Sequence, residues 1–318
     1  MRKSPAVKSA RTIGTGCAVL GASLIALGLL GTAPAIADTG SNDPLAAVVE
    51  ATPVTADNAA PVVTNSTGES AIDATVSDAR VVVPTDPTDD ISVETEGGTF
   101  SVSLPFSADA ASASVEKRGI VSYDNNNGTI SVPIVTEDGS LQVNTVISDA
   151  TAPTRYEYGL TIPEGGQIVP AGDAFFIVNA ESEPIAVIKA LWAKDADGKE
   201  VPTHYELDET TLTQVVDLSA ASALPVVADP QFAWYGAMPS VKLSRAETKT
   251  ATTLTGMATV CGWVTRYTSY VGGAICGANA ASIIYNSQRI CYTEKGCAQL
   301  LVAPGVIGTV GYSGGYCK

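Results

Sequence analysis

The stretch that decides the fold is TISVPIVTEDGSLQVNTV, residues 129–146. Polar and apolar side chains alternate over residues 129–134 and again over most of residues 140–146. A period of two places every second side chain on the same face of a β-strand. The intervening Glu-Asp-Gly, residues 137–139, has the composition of a tight turn. This pattern predicts an antiparallel β-hairpin.

The same kind of pattern recurs throughout residues 79–228. Short runs with strand character are separated by turn residues at intervals of roughly 8–12 residues, and most of them have no helical segment between them. This spacing predicts an antiparallel β-sandwich-like domain over residues 79–228. The further predicted strands are residues 99–104, 155–162, 174–179, 185–192, 204–207 and 211–216.

The chain begins with the three parts of a secretory signal peptide. Residues 1–11 carry four basic side chains and no acidic one, and residues 17–31 are almost entirely apolar. Ala35-Ile36-Ala37 then forms a cleavage motif, with cleavage predicted between Ala37 and Asp38. The alternative is an uncleaved membrane anchor, but the apolar run is shorter than the ~20 residues that a span needs. We therefore expect a secreted, extracellular protein, with association to the cell surface as a further expectation.

Charge divides the rest of the chain. The whole sequence has a net charge of −15, which argues against nucleic-acid binding because phosphate recognition needs a basic surface. Residues 38–228 contain 30 acidic and seven basic residues, whereas residues 229–318 contain three acidic and seven basic ones. Residues 38–78 lack aromatic side chains, which predicts an acidic, disordered linker, either a spacer or a tail without a function. Residues 229–318 are predicted to form a separate cationic domain.

The predicted cationic domain contains every cysteine that follows the signal peptide. They are Cys261, Cys276, Cys291, Cys297 and Cys317. Export allows disulfides to form, and an odd number leaves one thiol without a partner in the chain. Spacing does not define the pairing, and a small ring closed by Cys291 and Cys297 is one option. The absence of a C-x-x-C motif gives no support for a zinc ribbon or a redox pair.

Helical patterns dominate this cationic segment. Ser244 and Glu247 form a capping-box pattern, and apolar residues then recur at steps of three and four over residues 254–271. Gly272-Gly273 is expected to end that helix, and residues 274–289 are expected to form a second one. Two interpretations remain. The favoured one is a buried helical hairpin held by disulfides, and the other is a hairpin that enters or lies on a membrane. Contact with the cell envelope or a membrane surface is therefore expected through residues 229–318.

No set of residues indicates catalysis. His204 is the only histidine, and its surroundings indicate a strand and not a catalytic base. Two acidic turns, residues 124–128 and 195–198, carry oxygen ligands but lack the spacing of a calcium loop. We expect no catalytic residue, no cofactor and no metal site, and the ligand or partner is not predicted.

Several segments together resemble a known group. They are VSYDN (121–125), APTRY (152–156), WAKDADG (192–198), LTQVVD (212–217), PVVADP (225–230) and YSGGYC (312–317). On these segments the chain is similar to uncharacterised secreted proteins of actinobacteria. The resemblance implies export and a two-part layout, and it implies no activity. The group tends to have four cysteines in this C-terminal part, so the fifth here is either Cys291 or Cys297.

The sequence thus favours a secreted, non-enzymatic protein of the extracellular medium or the cell envelope. The alternative is a precursor in which the acidic portion holds a cationic, disulfide-bonded effector of the bacteriocin or toxin kind, released by a cut near Asp229. A third hypothesis, an exported hydrolase with a Ser–Lys or carboxylate pair, has no residue pair to support it.

Overall fold

The predicted hairpin is present and lies in the middle of the molecule. Strands β7 (Thr129–Thr136) and β8 (Ser140–Ile147) pair antiparallel, with Thr136 opposite Ser140. Gly139 in the turn has a φ of 81°, a conformation that glycine adopts without strain. The sequence pattern therefore predicted both strands and the turn between them.

The computed structural model describes residues 43–64, 68–234, 238–268 and 270–318, and most of its regular structure is antiparallel β-sheet. A seven-stranded front sheet has the order β1-β2-β3-β4-β9-β15-β14. Its strands are β1 (Ser70–Val76), β2 (Ala79–Pro84), β3 (Ile91–Thr95), β4 (Gly98–Val102), β9 (Arg155–Thr161), β14 (Thr203–Asp208) and β15 (Thr211–Val216).

A ten-stranded central sheet packs behind the front sheet. Its main path is β10-β11-β12-β17-β8-β7-β6-β5, and β16 joins β13 to β8. Besides β7 and β8, its strands are β5 (Ser114–Lys117), β6 (Ile120–Asp124), β10 (Gln167–Ala171), β11 (Ala174–Val178), β12 (Pro184–Ile188), β13 (Ala193–Lys194), β16 (Val226–Ala228) and β17 (Gln231–Ala233). The antiparallel sandwich expected from the sequence is therefore present.

The main hydrophobic core lies between these two sheets. Alternate residues of β9 are buried, so Tyr156 and Tyr158 point inward. They join Phe100 of the front sheet and Leu141 and Phe232 of the central sheet in one cluster of buried side chains. Burial of large aromatic and aliphatic side chains is the dominant stabilising term for such a sandwich.

The interior strands β8 and β12 of the central sheet are buried on both faces. All eight residues of β8 are buried, as are all five of β12. Val48 of helix α1 (Pro44–Ala51) packs on the outer face with Ile134 and Val146. Elsewhere the outer face is covered by side chains from the C-terminal part of the chain. Burial on both faces explains why β12 reads as a continuous apolar run and not as an alternating one.

The prediction of a disordered linker over residues 38–78 is wrong for the described part of that segment. It contains α1, the short helix α2 (Pro53–Asp57) and the edge strand β1. Asp43 caps α1 by accepting a hydrogen bond from the Leu45 N–H group at 3.0 Å. The small apolar residues of this segment are buried against sheets that other residues build, so their low aromatic content does not prevent folding. Residues 1–42 lie outside the described residues, and with them the predicted signal peptide and the Ala37–Asp38 cleavage site.

The predicted boundary between residues 228 and 229 also falls inside the sandwich. Strand β17 lies beyond that boundary and pairs with both β8 and β12. Trp234, next in the chain, is buried, and its indole N–H donates to the Val76 carbonyl at 3.1 Å. We therefore call residues 43–234 the body and residues 238–318 the C-terminal region.

The C-terminal region combines helices with a sheet that the sequence analysis did not predict. The tail sheet contains β18 (Ser240–Lys242), β19 (Cys297–Ala303) and β20 (Val306–Tyr312). The helices are α3 (Arg245–Ala251), α4 (Leu254–Thr268), α5 (Tyr270–Ala278) and α6 (Ala280–Gln288), followed by the π-helical turn Arg289–Glu294. The prediction of a purely helical region is therefore incomplete.

Two local predictions for this region had different outcomes. The capping box is confirmed, because Ser244 N–H donates to Glu247 Oε2 at 2.7 Å and Glu247 N–H donates to Ser244 Oγ at 3.4 Å. The predicted break at Gly272-Gly273 is wrong, since both glycines lie within α5. Among the described residues, no helix is both long and apolar enough to cross a membrane.

Candidate binding cleft in the C-terminal region

Two disulfides hold the C-terminal region together. Cys261 of α4 is bonded to Cys276 of α5, and Cys297 at the start of β19 is bonded to Cys317 near the end of the chain. Cys291 is a free, half-buried thiol in the π-helical turn. The small ring closed by Cys291 and Cys297 is therefore not formed, and Cys291 is the unpaired one of the five described cysteines.

A cleft of about 540 Å³ opens between β18, α4 and the last residues of the chain. Its lining residues are Ser240, Val241, Lys242, Leu243, Glu247, Trp263, Arg266 and Tyr316. Trp263 and Arg266 are three residues apart on α4, so they project from one side of that helix. This volume lies within the range of ~300–1,000 Å³ that is typical of small-molecule sites.

The disulfides fix two walls of this cleft. Trp263 lies two residues after Cys261, which is bonded to α5. Tyr316 immediately precedes Cys317, which is bonded to the tail sheet. Each aromatic side chain is thus carried by a segment that a covalent cross-link restrains, and rigid supports of this kind reduce the entropy lost on ligand binding.

Two of the three charged side chains that line the cleft are basic. Lys242 and Arg266 are both exposed, and Lys242 Nζ lies 5.8 Å from the centre of the Tyr312 ring. No carboxylate of the described residues forms a salt bridge with either cation.

The one acidic residue in the lining, Glu247, is already engaged. Burial opposes its ionisation, but hydrogen bonds from Ser244 outweigh this effect and lower the pKa of Glu247 below its usual value. The Tyr316 hydroxyl also donates to Glu247 Oε1 at 3.4 Å. Glu247 is therefore an anion that caps α3. Lys242 and Arg266 remain available to a ligand.

A second group of polar residues is enclosed in the body around Asp229. Only 1% of Asp229 is exposed, and its Oδ1 accepts a hydrogen bond from the Trp192 N–H group at 3.1 Å. Burial raises the pKa of this carboxyl to about 7. The buried oxygens Tyr205 Oη and Gln214 Oε1 have no hydrogen-bond partner among the residues that the structure describes. This cluster is closed, so its expected effect is on stability and not on ligand capture.

His204 and Asp195, both considered in the sequence analysis, lie outside the cleft. His204 is exposed on β14, with its Nε2 3.4 Å from Glu206 Oε1. The Asp195 carboxylate accepts backbone N–H groups from Asp197, Lys199 and Ser222, which occupies it as a turn cap. Within the described ranges, no three His, Cys, Asp or Glu side chains are grouped to hold a metal ion.

Sequence reasoning missed the cleft because its residues are far apart in the chain. Lys242 precedes Trp263 by 21 positions, and Tyr316 follows Arg266 by 50. The only local signal was an aromatic and a basic residue at helical spacing on α4, in a stretch that otherwise lacks charge. No family model, curated protein or solved structure matches this chain.

Proposed function

We propose that this chain is a secreted, non-enzymatic protein of the extracellular medium or the cell envelope, which contacts the envelope through its C-terminal region. The observation that carries the proposal is a cationic, doubly disulfide-bonded unit attached to an acidic body. Disulfides persist in oxidising compartments outside the cytosol. The export signal expected at residues 1–37 supports the same location.

Charge supports the assignment of the contact region. The C-terminal region has seven basic residues and two acidic ones, whereas the body is strongly acidic. Envelope polymers and membrane surfaces that carry negative charge attract a basic face and repel an acidic one. We therefore expect the molecule to meet such a surface with its C-terminal region facing it.

The test uses the exported protein recovered from culture supernatant, with its N-terminus read by mass spectrometry. We expect an N-terminus at Asp38. We also expect the protein to be retained on isolated envelopes and to be released in about 0.5 M salt, because salt screens the interaction between exposed charges. The variant Lys249→Glu/Lys295→Glu should lose most of this retention. The matched control Lys117→Glu/Arg118→Glu makes the same charge change on the body and should retain binding.

Three results would contradict the proposal. The first is unchanged envelope retention of the Lys249→Glu/Lys295→Glu variant. The second is absence of the protein from both the supernatant and the envelope. The third is turnover of a peptidoglycan, peptide or ester substrate by the purified protein. None of the residues substituted in this test lines the cleft.

The charge contrast also favours the second candidate, a precursor that releases a cationic effector. A cut near Asp229 would have to reach a segment that is buried in the central sheet, between β16 and β17. Limited proteolysis of the intact protein is therefore expected to spare this segment. Release of an intact C-terminal region that permeabilises anionic vesicles would instead favour the precursor hypothesis.

A further inference from the structure

We propose that the cleft lined by Lys242, Trp263, Arg266 and Tyr316 binds an anionic carbohydrate unit, a sugar ring that bears a carboxylate or a phosphate. This inference rests on the proposed function in one respect, because it names the envelope ligand that the C-terminal region would meet. The residues that line the cleft support a ligand site wherever the protein is located.

The two cations define the charge of the ligand. Lys242 lies on β18 and Arg266 on α4, so they approach the cleft from different walls. Neither pairs with a carboxylate of the described residues, and Glu247 is held by Ser244 and Tyr316. An arginine guanidinium matches the planar geometry of a carboxylate or phosphate, and a lysine adds a mobile point charge.

The two aromatic side chains define the shape of the ligand. Trp263 is half-buried and Tyr316 is 56% exposed, so both present ring surface to the solvent in the cleft. A solvent-facing aromatic ring offers a flat apolar surface together with a polar edge. The C–H face of a sugar ring is a flat partner of similar size, and its hydroxyls remain free for the polar groups around it.

Size and backbone geometry disfavour a peptide. The cleft of about 540 Å³ accommodates a group of small-molecule size. Strand β18 has only three residues and pairs with β19 on one side. Its other edge presents the backbone groups of Ser240 and Lys242 alone, whereas strands are usually ~3–10 residues long. Addition of a peptide strand would therefore gain few hydrogen bonds here.

The test is calorimetric titration of the oxidised, full exported protein with four probes: a glucuronate oligosaccharide, a phosphorylated gluco-oligosaccharide, the neutral gluco-oligosaccharide of the same length, and inorganic phosphate. At least one anionic oligosaccharide should bind about tenfold tighter than the neutral one. The comparison of carboxylated and phosphorylated probes identifies which anion the cleft prefers. Inorganic phosphate should bind weakly because it makes no contact with the aromatic rings.

Variants connect the binding to the cleft. Lys242→Ala/Arg266→Ala should weaken anionic oligosaccharide binding about tenfold or more, and Trp263→Ala should weaken it similarly. Trp263→Phe should retain part of the affinity because it keeps an aromatic ring. The matched control is Arg289→Ala, which removes an arginine that is paired with Glu294 outside the cleft lining and should not change binding. Mass spectrometry of both disulfides confirms that each variant is folded.

Several outcomes would overturn the inference. They are equal affinity for the neutral oligosaccharide, binding of inorganic phosphate as tight as that of the oligosaccharides, no binding of either anionic oligosaccharide, and an unchanged affinity in folded cleft variants. Loss of envelope retention in Lys249→Glu/Lys295→Glu tests the proposed function separately. Envelope retention without any oligosaccharide binding would contradict this inference alone.

Discussion

Asp229 shows how one buried residue links the packing of the sandwich to pH. Its carboxyl is enclosed with the hydroxyls of Tyr158 and Tyr205. Hydrogen bonding from Trp192, and to a smaller extent the nearby charge of Lys189, compensates only part of the cost of burial. The pKa is therefore about 7 in the folded protein, compared with an ordinary value of 3.8. Between these values the folded chain holds a proton that the unfolded chain has lost, so stability falls as pH rises through this range.

We predict that Asp229→Asn removes most of this pH dependence. The difference between 3.8 and about 7 corresponds to roughly 4 kcal/mol of unfolding free energy, which is present near pH 4 and lost above pH 7. Asparagine is neutral at every pH and can still accept the Trp192 N–H group. Urea unfolding at several values between about pH 5 and pH 8 should show a falling stability for the wild type and a nearly constant one for the variant.

Asp195→Asn is the matched control for this prediction. Backbone N–H groups, first that of Ser222, lower the pKa of Asp195, so its ionised form contributes stability that is lost only when the pH falls into the acidic range. The control should therefore lower stability at neutral pH without removing the decline between about pH 5 and pH 8. A decline that persists unchanged in Asp229→Asn would contradict the assignment to Asp229.

At the scale of elements, the contact between α4 and α5 depends on one glycine. A Cβ atom at Gly273 would lie 2.0 Å from Thr265 Oγ1, which donates to the Cys261 carbonyl at 2.7 Å. The same addition at Gly277, one turn further along α5, would meet nothing within 4 Å. Gly273 thus lets the two helices approach closely beside the disulfide that joins them.

We predict opposite effects of alanine at these two positions. Gly277→Ala should stabilise the protein by up to about 1 kcal/mol, because alanine is the better helix former. Gly273→Ala gains the same helix propensity but must displace Thr265, and overpacking of this kind costs about 1–3 kcal/mol. Thermal unfolding of the two variants checks the difference, and an equal or higher stability of Gly273→Ala would show that the helices do not need this close contact.

These glycines also show where sequence patterns succeed and fail. The hairpin β7–β8 and the capping box at Ser244 are local patterns, so a sequence reading identified both. Gly272-Gly273 was interpreted as a helix end because glycine lowers intrinsic helix propensity. In the structure the cost is offset by tertiary packing, which a local pattern does not contain. Strand β19 was missed for a related reason, because burial on both of its faces removes the alternation that marks a strand.

The disulfides give a further prediction at this scale. Cys297→Ser should lower stability by about 3 kcal/mol, since the lost bond closes a 20-residue separation at the end of the chain. Cys291→Ser is the matched control and should change stability little, because Cys291 is a free thiol in the same region. Denaturant unfolding with and without a reductant checks both variants. Reductant-independent stability of the wild type would contradict a structural role for the bonds.

On the scale of the whole molecule, the C-terminal region and the body share a hydrophobic cluster. Phe176 of β11 packs on the outer face of the central sheet with Leu301 and Val310 of the tail sheet. A Cβ atom at Gly308 would lie 2.7 Å from the Phe176 ring, which shows how closely β20 approaches the body. Gln299 of β19 also donates to the Ser182 carbonyl at 2.8 Å. The charge boundary in the sequence therefore marks a change in surface charge. It does not divide the molecule into two independently packed parts.

We predict that the body and the C-terminal region unfold together, and that Phe176→Ala weakens this coupling. Phe176 is fully buried, and its truncation should cost about 3–5 kcal/mol through lost burial and the cavity left behind. The matched control is Phe175→Ala, because Phe175 lies on the opposite face of the same strand and packs edge-on against Tyr205. Hydrogen exchange followed by mass spectrometry should show faster exchange in β19 and β20 for Phe176→Ala, with a smaller effect there for Phe175→Ala. If β19 and β20 already exchange independently of the body in the wild type, the two parts fold separately, and the buried interface around Phe176 does not hold them together in solution.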